Sequence, residues 1–261
     1  MKLLIITSLC IASVTGAIFW YGLKHSPLMK PSDHYSSLSK EEYAQGHLRE
    51  QDVIRRMTPR MTHELANKQL DLGAQVFIRI FKESRELEIW IESHETHKFH
   101  HFKTWKIAAM SGRLGPKLTE GDFQAPEGFY YVSPSQMKPD SQFHLAFNIG
   151  YPNAYDRAHS RTGSFIMVHG HRVSSGCFAM TDPSIEEIYT LCSKALKNDQ
   201  SFFRVHIFPF RMTPERMQET SQHEWHDFWS NLKQGYDWFE ENRTPPNVSV
   251  RNKRYTFAQT E

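Results

Sequence analysis

Apolar residues recur at every second position over residues 76–80 and again over residues 87–91. Successive side chains of a strand point to opposite faces, so this period of two is typical of β-strands with at least one buried face. The polar residues 82–86 between the two segments are typical of a turn. The pattern therefore predicts a β-hairpin.

Further apolar segments, each bounded by Gly, Pro, Ser or Asp, predict additional strands. They lie at residues 105–110, 129–132, 143–148, 164–168 and 203–208. Together with the hairpin they predict a curved, mainly β domain with flanking helices, which belongs to the α+β fold class.

Helical spacing appears in the C-terminal half of the chain. Asp182 and Pro183 suit the N-cap and the first position of a helix over residues 182–197. The apolar residues that would share one face of this helix are Ile185, Ile188, Cys192 and Ala195. Because Cys192 belongs to that face, we expect it to lie in the core rather than to take part in catalysis.

A second helical region is predicted to begin at Thr213 and to end before the paired prolines at residues 245–246. It carries bulky aromatic residues, among them Trp225, Trp229 and Phe239, which we expect to pack on the sheet. Residues 251–254 follow, three of which are basic, and they are typical of a solvated tail.

The chain begins with an apolar segment. Residues 3–23 carry no charge and are flanked by Lys2 and Lys24. At about 1.5 Å of rise per residue, a helix of this length can span a bilayer. The segment predicts either a secretory signal or an uncleaved membrane anchor, and both imply export. Residues 25–66 are polar and punctuated, which predicts a linker with a short helix after Ser39.

Composition narrows the function classes. The 31 basic and 29 acidic side chains give a net charge of +2, and no basic run is interleaved with aromatic residues, which argues against nucleic-acid binding. A chain of 261 residues can form one sizeable core with extensions. Beyond the N-terminal segment the chain holds only Cys177 and Cys192, so no disulfide framework is implied.

The segment that carries chemistry follows the apolar residues 165–168, where His169 precedes Cys177 by eight positions. Cysteine attacks a carbonyl as thiolate, and a nearby imidazole is a usual acceptor of the thiol proton. We therefore interpret Cys177 as a reachable nucleophile of low pKa and His169 as its general base. The alternative is that Cys177 is a small buried apolar residue, which is the commonest state of a free cysteine.

A glycine beside the cysteine supports the catalytic interpretation. Gly176 has no Cβ, so the backbone can turn sharply there and aim its N–H groups at a developing oxyanion. The backbone N–H groups of Ser175, Gly176 and Cys177 are therefore the candidate oxyanion site.

The segment from His169 to Cys177 resembles the active-site signature of the L,D-transpeptidase (YkuD-like) catalytic domain, a His-Gly pair followed by Ser/Thr-x-Gly-Cys. Further matching blocks lie at residues 111–117, 120–130 and 153–159, and they resemble the YafK-like branch of that family.

The resemblance extends over residues 74–210, with two departures from the wider family. Ser-Ser-Gly-Cys stands in place of Ser-His-Gly-Cys, and the connection between the histidine and the cysteine is shorter than the flap-bearing connection of most members. The predicted organisation therefore has four parts. They are residues 1–24 (signal peptide or membrane anchor), 25–73 (linker and short helical lead-in), 74–210 (catalytic domain) and 211–261 (C-terminal helical subdomain and tail).

The resemblance implies a β-sandwich catalytic domain that acts on the peptide stems of peptidoglycan in the periplasm. Cys177 would attack the carbonyl at the L-centre of meso-diaminopimelate, and His169 would protonate the departing amine. The YafK-like branch implies that this amine is the C-terminal lysine of a murein-bound lipoprotein, so that the reaction is a hydrolysis. No metal and no organic cofactor is implied.

Two alternatives stay open from the sequence. In the first, the thioester passes to another stem, which forms cross-links or attachments instead of hydrolysing the amide. In the second, the protein is a cell-wall-binding module that holds stems without turnover. In all of these interpretations, we expect the protein to contact the inner membrane only through its N-terminal segment.

Polar residues near the motif are candidates for substrate binding, because cations hold stem carboxylates by paired hydrogen bonds. They are Tyr155, Arg157, His159, Arg161 and Ser174. His171 and Asp122 are candidate neighbours of the catalytic pair, and Asp122 could orient a histidine. Lys117 is expected to be exposed in a turn.

Overall fold

The computed structural model describes residues 39–258, and the predicted signal or anchor segment lies outside these residues. The helices are α1 (Lys40–Ala66), α2 (Ala154–Ala158), α3 (Asp182–Leu196), α4 (Pro214–Glu219) and α5 (His226–Asn242). The strands are β1 (Val76–Phe81), β2 (Glu86–Glu92), β3 (Phe99–Lys106), β4 (Ala109–Met110), β5 (Gly128–Val132), β6 (Met137–Lys138), β7 (Ala146–Asn148), β8 (Met167–His169), β9 (Phe178–Ala179), β10 (Phe203–Phe208), β11 (Asn247–Arg251) and β12 (Arg254–Ala258). None of the helices within the described range combines the length and the apolar character that a membrane crossing requires.

The strands form two five-stranded sheets and a separate hairpin. The first sheet has the order β3-β2-β1-β10-β5, and the second has the order β4-β9-β8-β7-β6. The predicted hairpin is confirmed as the antiparallel pair of β1 and β2, whose turn contains Arg85 with a φ of 52°. One apolar core contains side chains from both sheets together with α1 and α3, so the predicted α+β class is confirmed.

Three predicted strands differ from the observed ones at their ends. Residues 105–110 divide between β3 and β4, and the strands predicted at 143–148 and 164–168 contract to β7 and β8. The contractions have a backbone cause: His144 (φ 69°) and Phe165 (φ 54°) adopt left-handed conformations that a strand cannot include.

Helix α1 is much longer than the short helix that the sequence predicts. Ser39 caps it: the Ser39 Oγ accepts from the Glu42 N–H at 3.2 Å, and the Glu42 carboxylate accepts from the Ser39 N–H at 2.8 Å. The helix continues because one face is buried against the core by Val53, Met57, Met61 and Leu65. The predicted length was wrong because the polar residues of the exposed face obscure this spacing.

Helix α3 covers the predicted residues, but its N-cap is Thr181 rather than Asp182. Thr181 Oγ1 accepts a hydrogen bond from the Ser184 N–H at 3.3 Å. Asp182 Oδ1 instead accepts from the backbone N–H of His171 at 2.7 Å. Cys192 is fully buried, as expected of a residue on the apolar face.

The C-terminal region ends in a β-hairpin rather than in a solvated tail. Strands β11 and β12 pair antiparallel around Asn252 and Lys253, whose φ angles are 49° and 60°. Tyr255 of β12 is buried against Phe129 of β5, with ring centroids 4.8 Å apart. The basic residues 251–254 therefore form the end of a hairpin that packs on the first sheet.

A fully buried ion pair joins the end of β1 to the loop that precedes β5. Lys82 Nζ lies 3.0 Å from Glu127 Oε1. The same ammonium group donates to the carbonyl oxygens of Gly115 and Ala125 at 2.7 and 2.8 Å. Glu127 also accepts from the Gly115 N–H at 2.7 Å and from Trp229 Nε1 at 2.8 Å. The pair thus holds together the first sheet, this loop and α5.

We expect Glu127→Gln to lower the free energy of unfolding by roughly 3–5 kcal/mol, because it leaves a buried ammonium group without its counter-ion. Asp237→Asn is the matched control, since it removes the partner of Lys233 on α5 at a side chain that is 42% exposed. Exposed pairs of this kind contribute about 0–1 kcal/mol. Urea denaturation of the two variants and of the unmodified chain measures both losses. Equal losses would contradict the importance assigned to the buried pair.

Candidate active site

The candidate catalytic residues lie at two adjacent parallel strands in the middle of the second sheet, with His169 at the end of β8 and Cys177 just before β9. Strand β8 pairs with β9 so that His169 lies opposite Ala179. Cys177 directly precedes β9, and the Met167 N–H donates to its Sγ at 3.4 Å. The register therefore places Cys177 beside Met167, two residues before His169 on the neighbouring strand.

Cys177 is half-buried as a residue, and its thiol is engaged with the backbone of the preceding segment. Its Sγ donates to the carbonyl oxygen of Phe165 at 3.6 Å. Burial raises the pKa of this thiol, while the Met167 N–H and the positive charge of Lys117 oppose that shift with smaller effects. The expectation of a low pKa for Cys177 was therefore wrong, because the thiolate would be poorly solvated at this position.

His169 is buried, and only 3% of its surface is exposed. The ring of Phe143 packs against it, with centroids 4.8 Å apart. His169 Nδ1 lies 2.6 Å from the carbonyl oxygen of Gly170, which can only accept, so Nδ1 carries the proton and Nε2 is the basic nitrogen. Burial lowers the pKa of the imidazole, which keeps it neutral near pH 7. Within residues 39–258 no hydrogen bond joins His169 to Cys177.

Two serines order the turn in front of Cys177. Ser174 Oγ donates to the Cys177 carbonyl oxygen at 2.6 Å. Gly176 has a φ of 102°, which favours glycine, and its N–H donates to Ser111 Oγ at 2.6 Å. One of the three N–H groups predicted for an oxyanion site is thus already engaged. Ser111 contacts the site although the sequence only placed it in a matching block, without a role.

The connection between the two candidate catalytic residues is short. It comprises residues 170–176, and the side chains of His171, Val173 and Ser175 in it are exposed. His171 Nε2 lies 4.0 Å from Asp182 Oδ2, and its ring centroid lies 5.8 Å from that of Phe143. His171 is therefore near the site on an exposed turn, and Phe143 contacts both imidazoles.

Two of the predicted substrate-binding residues are buried. Arg161 Nη1 donates to Asp156 Oδ1 at 2.8 Å, and both residues are buried. Tyr155 stacks on Tyr255 with ring centroids 4.3 Å apart. The stack holds α2 to the C-terminal hairpin, and the ion pair holds the segment after α2 to that helix, so both residues have a structural role.

The other predicted cations of this region are exposed. Arg157 donates to the carbonyl oxygen of Pro152, and His159 Nε2 donates to the carbonyl oxygen of Lys253 at 2.9 Å. Among the described residues, neither side chain forms a hydrogen bond with Cys177 or with His169. The structure therefore keeps both at the surface next to the hairpin.

Lys117 and Asp122 form a second ion pair in the loop over residues 111–127, which we call the site loop. Lys117 is 4% exposed rather than solvated as predicted, and its Nζ lies 2.5 Å from Asp122 Oδ1. The Asp122 carboxylate also accepts from the N–H groups of Leu118, Thr119 and Gln124 at 2.9 to 3.0 Å. Asp122 therefore orders the site loop and does not orient a histidine.

A series of polar contacts connects α1 to the segment that packs on His169, and the sequence did not predict it. Glu186 Oε1 lies 2.9 Å from both Arg56 Nη2 and His144 Nε2. His144 adjoins Phe143, whose carbonyl oxygen accepts the Gly170 N–H at 2.9 Å. These contacts fix the segment that packs on His169. No local signal predicts them, because the partners lie far apart in the sequence.

Comparison with known proteins assigns the chain to a family. The model of the YkuD family, described as the L,D-transpeptidase catalytic domain, matches residues 75–207. The protein named "Putative L,D-transpeptidase YafK" of Escherichia coli strain K12 is 47% identical over 192 residues, which are 74% of this chain and 77% of that protein. This chain belongs to the YkuD family of L,D-transpeptidase catalytic domains. The protein of the same name from E. coli O157:H7 gives the same values, so the resemblance inferred from the sequence is confirmed.

Two solved structures also align with this YkuD-family chain at low identity. The helical cell shape determining protein Pgp2 from Campylobacter jejuni aligns over 74% of this chain and 80% of its own, with 16% identity and a TM-score of 0.42. The structure of Bdellovibrio bacteriovorus Bd1075 aligns over 69% and 78%, with 18% identity and a TM-score of 0.38.

We expect alkylating reagents to modify Cys177 before Cys192, because Cys177 is a partly exposed residue and Cys192 is fully buried. The pKa of Cys177 is raised above its ordinary value of 9.0, so its thiolate fraction and its alkylation rate should still be increasing at pH 9. Site-resolved mass spectrometry over a pH series measures both. A rate that levels off near pH 7, or modification of Cys192 first, would contradict this prediction.

Proposed function

We propose that this YkuD-family protein is an exported cysteine acyl-enzyme that cleaves peptidoglycan peptide stems in the periplasm. The observation that carries the proposal is the parallel pairing of β8 and β9 in a chain of the L,D-transpeptidase domain family, because His169 ends β8 and Cys177 directly precedes β9. The N-terminal apolar segment supplies the signal or the membrane anchor.

Both candidate catalytic groups are neutral at rest, because burial raises the pKa of Cys177 and lowers that of His169. Bound substrate would replace the Phe165 carbonyl oxygen as the neighbour of Cys177 Sγ and let the thiol turn towards His169 Nε2. The thiol proton then passes to Nε2 as Sγ bonds to the carbonyl carbon at the L-centre of meso-diaminopimelate. The proton next moves to the leaving amine as the C–N bond breaks, which leaves a thioester on Cys177.

The oxyanion formed during attack needs donors close to the thiol. The N–H groups of Ser175 and Cys177 are the proposed donors, because the Gly176 N–H between them already donates to Ser111. Ser174 holds the turn by its bond to the Cys177 carbonyl oxygen. Arg157 and His159 are the proposed contacts for stem carboxylates, since both are exposed.

Hydrolysis is the proposed fate of the thioester. A transpeptidase must shield the acyl-enzyme from water until a second amine binds, and flaps are a usual means of doing so. Residues 170–176 are too few to form such a flap between the catalytic residues, and several are exposed. Water then adds to the thioester carbonyl, releases the stem as a free acid and restores the thiol. The leaving amine would be the C-terminal lysine of a murein-bound lipoprotein.

We expect His169→Ala to lower kcat/KM by ~10²–10⁴, because it removes the base and the later proton donor. His171→Ala is the matched control from the same turn, and most of the turnover should remain, since His171 lies on an exposed turn beside Asp182. Steady-state cleavage of a stem amide measures both. Equal loss in the two variants would assign the base to His171 instead.

Digestion of lipoprotein-bearing murein sacculi tests the proposed reaction. We expect lysine-terminated lipoprotein to be released and tripeptide stems to remain on the murein, with the Cys177→Ala chain as the inactive control. Mass analysis of the products distinguishes the outcomes. New dimers joined through two diaminopimelate residues, without lipoprotein release, would show that the reaction is a transpeptidation and not a hydrolysis. Binding of sacculi with no new product would favour a non-catalytic module.

A further inference from the structure

A second cleft lies between the first sheet and the C-terminal hairpin, on residues that the proposed reaction does not use. Its volume is about 370 Å³, which is within the range of sites for small ligands. The side chains that line it include Tyr131, Phe202, Arg204, His206, Asn247 and Ser249. We call this site the aromatic cleft.

Two of the aromatic side chains that line it are unusually exposed. Tyr131 is 61% exposed and Phe202 is 37% exposed, whereas most aromatic residues of this chain are buried. Their rings meet edge to face with centroids 5.6 Å apart. The Tyr131 ring, supported edge to face by Phe202, therefore offers an exposed apolar face that a flat ligand can contact without any rearrangement of the core.

A guanidinium group is fixed beside this aromatic face. Arg204 lies opposite Tyr131 in the pairing of β10 with β5. Its Cζ lies 5.1 Å from the centre of the Phe202 ring, and its Nη2 donates to Asn247 Oδ1 at 2.7 Å. The contact with Asn247 uses one of the five N–H donors of arginine and holds the planar group in place.

An unsatisfied polar atom lies among the lining residues. His206 is buried between the rings of Phe77 and Phe129, at centroid distances of 4.6 and 4.7 Å. Within the described part of the chain its Nδ1 has no hydrogen-bond partner. Buried polar atoms are rarely left in this state, and because this one has no exposed surface, only a bridging water could connect it to a ligand in the cleft.

The lining chemistry selects one class of ligand. Among the described residues that line the cleft there is no Asp or Glu, so nothing there would pair with an ammonium group. The polar groups are amides, hydroxyls, one imidazole and one guanidinium, set beside an aromatic platform. A pyranose ring has a C–H face for such a platform and a rim of hydroxyl and acetamido groups for such donors and acceptors.

We propose that the aromatic cleft binds an N-acetylated amino-sugar unit of a glycan strand, which stacks on Tyr131 beside Phe202 and hydrogen-bonds to Arg204 and Asn247. The choice of sugar rests on the proposed function, because peptidoglycan stems are carried on strands of such sugars. The cleft would then hold the polymer while a stem is cleaved at Cys177.

Titration of the full chain with chitotetraose, a soluble tetramer of N-acetylglucosamine, tests the proposal by calorimetry. We expect saturable binding that Tyr131→Ala weakens by about tenfold, because one stacking contact contributes about 1.4 kcal/mol or slightly less. Arg204→Lys should weaken binding of the tetramer as well, since lysine lacks the planar guanidinium group with its several N–H donors. Tyr43→Ala is the matched control, because Tyr43 is a 56% exposed tyrosine on α1 and its removal should not change the affinity.

The proposal is overturned if the unmodified chain does not bind the tetramer, or if Tyr131→Ala and Tyr43→Ala change the affinity equally. Tighter binding of a stem tripeptide than of the sugar, with the same loss in Tyr131→Ala, would also overturn it. The titration involves no turnover, so it is independent of the proposed reaction. A chain that binds the tetramer but cleaves no stem would retain this site and contradict the proposed function alone.

Discussion

The buried ion pair between Lys82 and Glu127 is the interaction on which the candidate active site depends. Removing two charges from water is costly, and burial lowers the pKa of the Lys82 ammonium although Glu127 opposes that shift. The pair is stable only because each group is fully hydrogen-bonded, which requires the backbone of Gly115 and the indole of Trp229. Space is equally restricted there: a Cβ on Gly115 would lie 2.7 Å from Trp225 Nε1.

The buried ion pair is connected to the Cys177 thiol through the site loop. The loop ends at the buried Glu127 and begins at Ser111, whose hydroxyl accepts the N–H of Gly176 next to Cys177. Lys117 lies within the same loop, and its positive charge is one of the influences that lower the pKa of the Cys177 thiol. A change that releases the ion pair therefore alters both the position and the electrostatic surroundings of Cys177.

The parts of the fold that could be predicted from the sequence are those with a strong local period. The hairpin of β1 and β2, strand β10 and the apolar face of α3 follow from the spacing of residues that pack on one core. The motif likewise selects His169 and Cys177 as candidate catalytic residues by their spacing and type. Contacts between distant segments could not be predicted: Ser111 and Gly176 are 65 residues apart, and no local pattern pairs Lys82 with Glu127. The raised pKa of Cys177 could not be predicted either, because it results from burial by segments that are distant in the sequence.

The central claim is that Cys177 becomes acylated by a peptidoglycan stem. Rapid acid quenching after the full chain is mixed with a stem amide, followed by peptide mapping with mass spectrometry, tests this most directly. We expect an adduct with the mass of the acyl part of the stem on the peptide that contains Cys177, and none in Cys177→Ala. Turnover with no adduct on that peptide, or an adduct on another residue, would contradict the claim.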